Sequence, residues 1–378
     1  MKSIYLDNAA TTPLAPEVFE AMTPYLRDHF GNPSSSHHLG RVTKSAIETA
    51  RRTIAKALNC QPGEIYFTSG GTEADNLAMH AAVRDLGCEH IITTPIEHSA
   101  IVKTAELLDQ QGKAKLHYVH LKDNGDVDLV HLEELLKAHP KSYVTLMHGN
   151  NEIANLLPLQ AVAEMCQKYH AIFHSDTVQT MGHYAFDLQR TPVMMLNAAA
   201  HKFHGPKGVG FIYINKSLKL NADITGGGQE RGLRGGTENI SGIMGLAKAI
   251  ELAYSHLEEH KQHISAMKQY MKTRLQETFP DIVFNGNSAS ADSLYTVLNC
   301  TFPAHSNSDM FLFLLDLEGI CASGGSACSS GATKGSHVLT AIDALRPGQA
   351  SVRFSFGRYT TKDEIDHTMV ILEKLMKG

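Results

Sequence analysis

The chain has 378 residues, 43% hydrophobic and 19% charged, with 30 glycines and 13 prolines; these values exclude a disordered, collagen-like or coiled-coil protein and allow a large core with a second, smaller lobe. A net charge of -5 gives no basic footprint for nucleic acid or an anionic membrane. The six cysteines, Cys60, Cys88, Cys166, Cys300, Cys321 and Cys328, lack CxxC spacing, so neither a disulfide framework nor a zinc site is expected, and no apolar stretch reads as a signal peptide or membrane span. A soluble, cytoplasmic protein is expected.

In chain order, Val42, Ala46, Ile47, Ala50, Ile54 and Leu58 recur at helical spacing, with Lys44, Glu48, Arg51 and Arg52 between them, which predicts an amphipathic helix from Val42 to Leu58. An alternation follows. It runs through a strand in EIYFTS, a helix opening near Thr72, a strand in HIITTP, a helix from Ser99 to Gln111 and a strand near KLHYVHL. The helix DLVHLEELLKAH, the strand YVTLMH, the helix LQAVAEMCQKYH and the strands AIFHSD and GVGFIYI continue it. Strands separated by helical crossovers predict a mostly parallel sheet covered on both faces, with ligands beyond the carboxyl ends of its strands. A long helical pattern then runs from about Asn239 toward Phe279. The strand LYTVLNCTF, the helix SDMFLFLLDLEG, the strand ASVRFSF and a closing helix from about Lys362 suit a small α+β unit.

The first chemically loaded stretch is Ala199 to Gly210, where Lys202 stands between a strand and a Gly-rich turn. From there its amine can reach a crevice and condense with an aldehyde cofactor. Asp176, 26 residues upstream at the end of AIFHSD, can pair with a protonated pyridine nitrogen. A surface lysine and a helix N-cap are the plainer readings of the two. In FTSGGTEADNLA, Gly70, Gly71 and Thr72 open a helix and can hold a phosphate, although Ser-Gly-Gly-Thr also suits an ordinary turn. His98, after HIITTP, can stack on an aromatic ring or move protons. Five of the cysteines sit in apolar or helical surroundings that suit buried thiols. Cys328 stands in a Gly/Ser-rich stretch from Cys321 to Gly335, as a thiol that delivers a product outward would. Arg353 in SVRFSFGR can hold a carboxylate or serve a structural ion pair.

Together these segments resemble the cysteine desulfurases of the NifS/IscS class, pyridoxal-phosphate enzymes of aminotransferase class V. The motifs are YLDNAATTP (5–13), GNPSSSH (31–37), TSGGTEADN (68–76), Glu97-His98, NNE (150–152), SDTVQ (175–179), HKFHGPKGVG, GGGQERGLRGGTEN (226–239), GSACSSG (325–331) and VRFSFGR (352–358). The resemblance implies an α/β chain of the PLP-dependent transferase fold type I. Its large, mostly parallel-sheet domain would span 15–255, and a smaller α+β domain, from 1–14 and 256–378, would carry the cysteine loop.

The resemblance also implies roles. Lys202 would bind pyridoxal 5'-phosphate covalently and move the α-proton, Asp176 would pair with the ring nitrogen, Gln179 with the ring hydroxyl, and His98 would stack on the ring. Gly71, Thr72 and His201 would contact the phosphate, with Thr237 reaching it from the other subunit of a homodimer. Asn32, Asn151 and Arg353 would hold the carboxylate of L-cysteine, with Asn151 also beside the cofactor. Cys328 would take the sulfur as a persulfide, leaving L-alanine, and would deliver it to a sulfur-acceptor or iron-sulfur scaffold protein, touching the cluster metal during transfer. Three positions depart from the family pattern: Ala199 for a serine that would add a phosphate hydroxyl, Thr177 for an alanine, and Ala154 for a glycine. The rival expectations are another class V enzyme, such as a selenocysteine lyase, a C-S lyase or a small-substrate aminotransferase, and a metal-binding protein using His201 and His204.

Overall fold

The computed structural model describes residues 3–324 and 335–377. Its largest sheet has seven strands in the spatial order Ile65–Thr68, Gly210–Ile214, Met195–Ala199, Ile172–Asp176, Ser142–Thr145, His90–Thr93 and Lys115–Tyr118. The last five run parallel, while Gly210–Ile214 is antiparallel to both of its neighbours. The alternation of helices and strands thus produced the expected sheet, with one reversed strand that hydropathy does not reveal.

Side chains alternate across a strand, and here the alternation divides the apolar residues between two cores. Phe211, Tyr213, Leu196 and Val144 pack on one face, against Ile47 and Ile54 of the helix His38–Ala57, Val162 of Leu159–Lys168, and Leu246 of Ile240–Ser255. Ile212, Ile214, Met195 and Tyr143 pack on the other, against Leu77 of Gly71–Arg84 and Ile101 of Ser99–Gln110. With both faces covered, the strands read as nearly continuous apolar runs. A third core forms around the antiparallel sheet Ser351–Ser355, Val297–Thr301 and Val283–Phe284. It gathers Leu6, Ile264, Met271, Leu298, Phe354, Ile365 and Leu372. Ile4–Tyr5 pairs in parallel with Ile320–Cys321. No helix among the described residues is long and apolar enough to cross a membrane.

The structure moves several boundaries. The helix expected from Val42 begins at His38, with Gly40 in its first turn because a Cβ there would meet the Ser35 carbonyl at 2.4 Å; its glycine serves packing rather than breaking the helix. The pattern from Asn239 to Phe279 is two helices, Ile240–Ser255 and Leu257–Thr278, separated where His256 leaves helical geometry at φ -118°, ψ 22°. The helix Pro16–Arg27 escapes an apolar-period reading because Val18 is its one buried residue.

One buried ion pair anchors the glycine-rich segment before Thr237. Arg51 places both terminal nitrogens on the Glu230 carboxylate, at 2.8 and 2.9 Å, with the two side chains 3% and 2% exposed. Glu230 also accepts the Phe67 N-H at 2.8 Å, so it ties the helix, the edge strand and the segment together. Removing one partner of such a pair leaves a buried charge uncompensated. Arg51→Met is therefore expected to lower unfolding free energy by about 3–5 kcal/mol in urea titrations; a loss below about 1 kcal/mol would show that solvent reaches Glu230.

Candidate active site

At the carboxyl ends of the parallel strands lies a cleft of about 780 Å³, counting its open mouth, within the range of small-molecule sites. Each strand end contributes through its own connection. Lys202 closes the short turn Ala200–Lys202 after Met195–Ala199, and Asp176 ends Ile172–Asp176. His98 caps the helix Ser99–Gln110 after His90–Thr93, and Gly71 opens the helix after Ile65–Thr68. The cleft is lined by Gly71, Thr72, His98, Asn151, Asp176, Gln179, His201, Lys202 and Arg353, together with Ala199. Ten of the residues singled out in the sequence thus meet in one place.

Lys202 Nζ donates to the carbonyls of Ala9 (2.5 Å) and Ala10 (3.0 Å). Gln179 Nε2 donates to the same Ala9 carbonyl at 2.9 Å. Asp176 Oδ1 accepts the Val178 N-H at 2.9 Å. The Arg353 guanidinium is buried, donating to Asp7 Oδ1 at 2.8 Å and to the Asn151 carbonyl at 3.0 Å. The helix opening at Gly71 has no side-chain cap, so its first N-H groups remain for an anion. Two glycines make this approach possible: Gly70 adopts φ 154°, ψ -173°, and a Cβ on Gly71 would meet Val178 Cγ2 at 2.8 Å.

Burial dominates the electrostatics. It raises the Asp176 carboxyl above the ordinary carboxylate range, against the opposing pull of His98, the Val178 N-H and Lys202. Burial lowers His98, with Asp176 working the other way. His98 Nδ1 accepts the Ala100 N-H at 3.2 Å, so in the neutral ring Nε2 carries the proton. His201 is brought down to about 4 by burial and by Lys202 and Lys207, and it therefore meets a ligand as a neutral imidazole.

Asn32 and Thr237 lie elsewhere. Asn32 is exposed, with its Oδ1 accepting the Ser34 N-H at 2.9 Å. Thr237 lines a different cavity with Ser69 and Arg234. Cys328 falls outside the described residues. The five described cysteines are free, and burial pushes the Cys60, Cys88 and Cys166 thiols up to about 12. His201 and His204 turn to separate partners, the Thr11 hydroxyl and the Pro13 carbonyl.

Sequence reasoning missed the supports of the site. Asp7 holds Arg353, and the carbonyls of Ala9 and Ala10 hold Lys202; all three belong to YLDNAATTP, so the motif marked the segment but backbone carbonyls carry no side-chain signature. Asp75 also lines the cleft and accepts from Asn197 Nδ2 at 2.7 Å. Burial and the Asp176 and Glu97 carboxylates raise it well above the ordinary range.

The three positions expected to depart from the family pattern each have a local physical account. The Thr177 hydroxyl donates to the Asn197 carbonyl at 2.5 Å, a bond alanine could not make. Ala154 sits at φ 63°, where glycine is at ease and alanine costs about 1 kcal/mol; its buried methyl packs with Ala9, Leu294 and Val297. Ala199 is buried at the cleft wall and pairs with Gly210.

The profile of the Aminotransferase class-V family matches residues 4–368. The chain belongs to that family. It is 40% identical over its whole length to a cysteine desulfurase IscS of Dictyoglomus turgidum, covering 95% of that protein. A cysteine desulfurase IscS of Clostridium botulinum is 38% identical over the same spans. Among solved structures, a NifS-like protein superposes with a TM-score of 0.90 at 34% identity, over 99% of both chains. The structure titled SspA in complex with cysteine superposes at 0.81 and 32% identity, over 95% of this chain and all of that one.

The buried histidines give the fold of this family member an acid limb. Burial alone lowers His148 from 6.5 to about 4. Between those values protons bind only the unfolded chain, so the stabilisation present above pH 6.5 is lost as pH falls toward 4. For this one group the loss at pH 5 is roughly 2 kcal/mol. In His148→Gln the difference in unfolding free energy between pH 7.5 and pH 5 should shrink by about that amount; an unchanged difference would show that His148 titrates alike in both states.

Proposed function

We propose that this cleft holds pyridoxal 5'-phosphate and that the chain is a cysteine desulfurase. It takes sulfur from L-cysteine, releases L-alanine, stores the sulfur as a persulfide on Cys328 and passes it to an acceptor or iron-sulfur scaffold protein. The observation that carries this reading is the meeting of an amine, a buried carboxyl, an imidazole and an uncapped helix N-terminus in one cleft, in a chain similar throughout to curated cysteine desulfurases. The donor set fits the cofactor. Lys202 supplies the amine, Asp176 a carboxyl whose charge a cationic ring nitrogen would restore, and Gly71 and Thr72 a cradle for a phosphate that His201 also borders.

Once bound, the cofactor supplies an electron sink for charge developing at the substrate α-carbon. Lys202 moves the proton at that carbon, and the Ala9 and Ala10 carbonyls fix where its amine stands. His98, which holds a proton at Nε2, would face the cofactor ring, and Gln179, anchored to the Ala9 carbonyl, would hold the ring hydroxyl. Arg353 and Asn151 orient the substrate carboxylate. The Cys328 sulfur attacks the substrate sulfur; an S-S bond forms, the C-S bond breaks, and the former β-carbon takes a proton. L-cysteine and a thiol thereby become L-alanine and a persulfide. We also assign Thr237 to the phosphate of the second subunit in a homodimer, and the described core around Leu6, Ile264 and Phe354 to a smaller domain built from 1–14 and 256–378.

Purified protein is expected to absorb in the visible and to release alanine and sulfide in equal amounts from L-cysteine with a dithiol. Lys202→Ala should lose both the band and turnover, and borohydride reduction should label Lys202; a label on Lys207 would overturn the assignment. Cys328→Ser should still change its spectrum with L-cysteine yet form no protein persulfide, and sulfur delivery at the parent rate would place the thiol elsewhere.

Ala199→Ser tests the phosphate shell. A hydroxyl on a charged phosphate is worth about 1.5–3 kcal/mol, or roughly ten- to a hundredfold in affinity. Slower loss of cofactor on dialysis is expected where a donor is lacking, and no change where the shell is complete. Faster loss would show that this wall has no room for the oxygen.

A further inference from the structure

At the opposite end of the strand that leads to His98, three imidazoles converge. His90 opens His90–Thr93, His117 lies in the edge strand Lys115–Tyr118, and His139 follows the helix Leu129–Ala138. The strand register sets two of them together: Ile92 is opposite His117, and His90 is opposite Lys115, so His90 and His117 are two positions apart and share a face of the sheet. His139 is brought over them by its backbone, whose N-H donates to the Leu135 carbonyl and whose carbonyl accepts from the Ser142 hydroxyl at 2.6 Å. The His117 and His139 rings stack at 3.9 Å, and the His90 and His139 centroids lie 4.6 Å apart. His90 Nδ1 and His117 Nε2 are 3.0 Å apart, and one ligand atom from each of the three rings lies within 4.8 Å of the others.

We propose that His90, His117 and His139 form a binding site for a divalent late transition-metal ion, Zn2+ being the natural occupant, that clamps the edge strand to the sheet. Two nitrogens bound to one tetrahedral zinc ion at about 2.0–2.1 Å stand roughly 3.3 Å apart. The closest pair, 3.0 Å apart, is already near that spacing, and the third ligand atom lies within 4.8 Å of both, so binding requires the His139 ring to turn out of its stack. Three imidazole nitrogens favour zinc, cobalt, nickel or copper over magnesium or calcium, which demand oxygen donors. The adjacent carboxylates are already engaged, Asp109 with Lys115 at 3.2 Å and Glu89 with Lys141 at 2.5 Å, so water completes the coordination. An ion here would join three segments distant in sequence, holding the outermost strand, which hydrogen-bonds to the sheet along one side only.

The site is independent of the cofactor cleft, so its test is independent of the activity proposed above. Co2+ is the probe, because its visible bands report coordination number and a sulfur ligand adds an intense near-ultraviolet band. Equilibrium dialysis of the cofactor-loaded protein should show one Co2+ per chain with no sulfur band, and stoichiometric Zn2+ should raise the melting temperature. His117→Ala and His139→Gln should each weaken Co2+ binding at least tenfold and abolish the Zn2+ shift, while their far-ultraviolet circular dichroism stays that of the parent. His139→Gln guards against a folding defect, since the backbone hydrogen bonds of this residue to Leu135 and Ser142 do not depend on its ring. Equal binding by parent and variants, a sulfur band, or no binding at all would each overturn the proposal, the last leaving the His90–His117 contact as a hydrogen bond.

Discussion

The N-terminal segment is gripped on both sides, and the cleft takes its shape from that grip. Ile4 and Tyr5 extend a strand pair with Ile320 and Cys321, Leu6 enters the core of the smaller antiparallel sheet, and Asp7 receives the buried guanidinium of Arg353. Two and three residues on, Ala9 and Ala10 present their carbonyls to Lys202, and Thr12 exchanges hydrogen bonds with the segment that carries it. The segment therefore couples the arginine proposed for the substrate carboxylate to the lysine proposed for proton movement. Asp7 side chain and Ala9 carbonyl are fixed relative to one another by two residues of backbone, so a shift of the small sheet moves both groups together. Loss of Asp7 would leave Arg353 charged and buried without its carboxylate, the costly half of a broken ion pair.

A second constraint is the concentration of acid groups at and beside the cleft. Asp75, Glu97 and Asp176 are all buried, and burial raises each of them, Glu97 to about 8. Three carboxylates sharing a low-dielectric region repel one another. The protein answers with directed donors: the Met147 N-H to Glu97, Asn197 Nδ2 to Asp75 and the Val178 N-H to Asp176. These donors come from backbone and amide dipoles rather than from cations. Lys202 is the nearby cation that acts on Asp176, and covalent use of its amine would remove that charge. A cationic ring nitrogen entering the cleft would replace it, which is a physical reason for the acid and the lysine to occur together.

The legibility of this molecule followed the range of its interactions. Lys202, Asp176, His98 and Gly71 were readable because each lies where a strand ends and a helix or turn begins, and a parallel sheet brings all such ends to one side. The reversed strand Gly210–Ile214 was not, since a buried strand is apolar in either direction. Thr237, expected at the phosphate of the other subunit, lies in this chain at a separate cavity, where Arg51 and Glu230 fix its segment against the edge strand. The three histidines were invisible for a related reason. They are 27 and 22 residues apart, and only the strand register and the end of a helix bring them together.

Ala154, Thr177 and Ala199, the positions expected to depart from the family pattern, each make local interactions of their own. Thr177 and Ala154 each stand beside residues that shape the cleft without lining it, and each trades one local interaction for another. At Thr177 the hydroxyl gains the Asn197 carbonyl, whose residue in turn holds Asp75 and the Thr177 N-H; the exchange strengthens a network already directed at the buried acids. At Ala154 a strained backbone of about 1 kcal/mol is offset by methyl contacts with Leu294 and Val297, and the carbonyl of Ala154 still accepts the Leu294 N-H at 2.8 Å. Both changes leave the positions of Asp176 and Asn151 to the strand and turn geometry. Ala199 differs because it faces the cleft itself, where a missing hydroxyl can be compensated only by the donors of a neighbouring segment, the open helix end at Gly71 and the neutral ring of His201. At Thr177 and Ala154 the backbone thus sets the geometry, and at the wall a bound anion would depend on groups that the rest of the fold already holds in place.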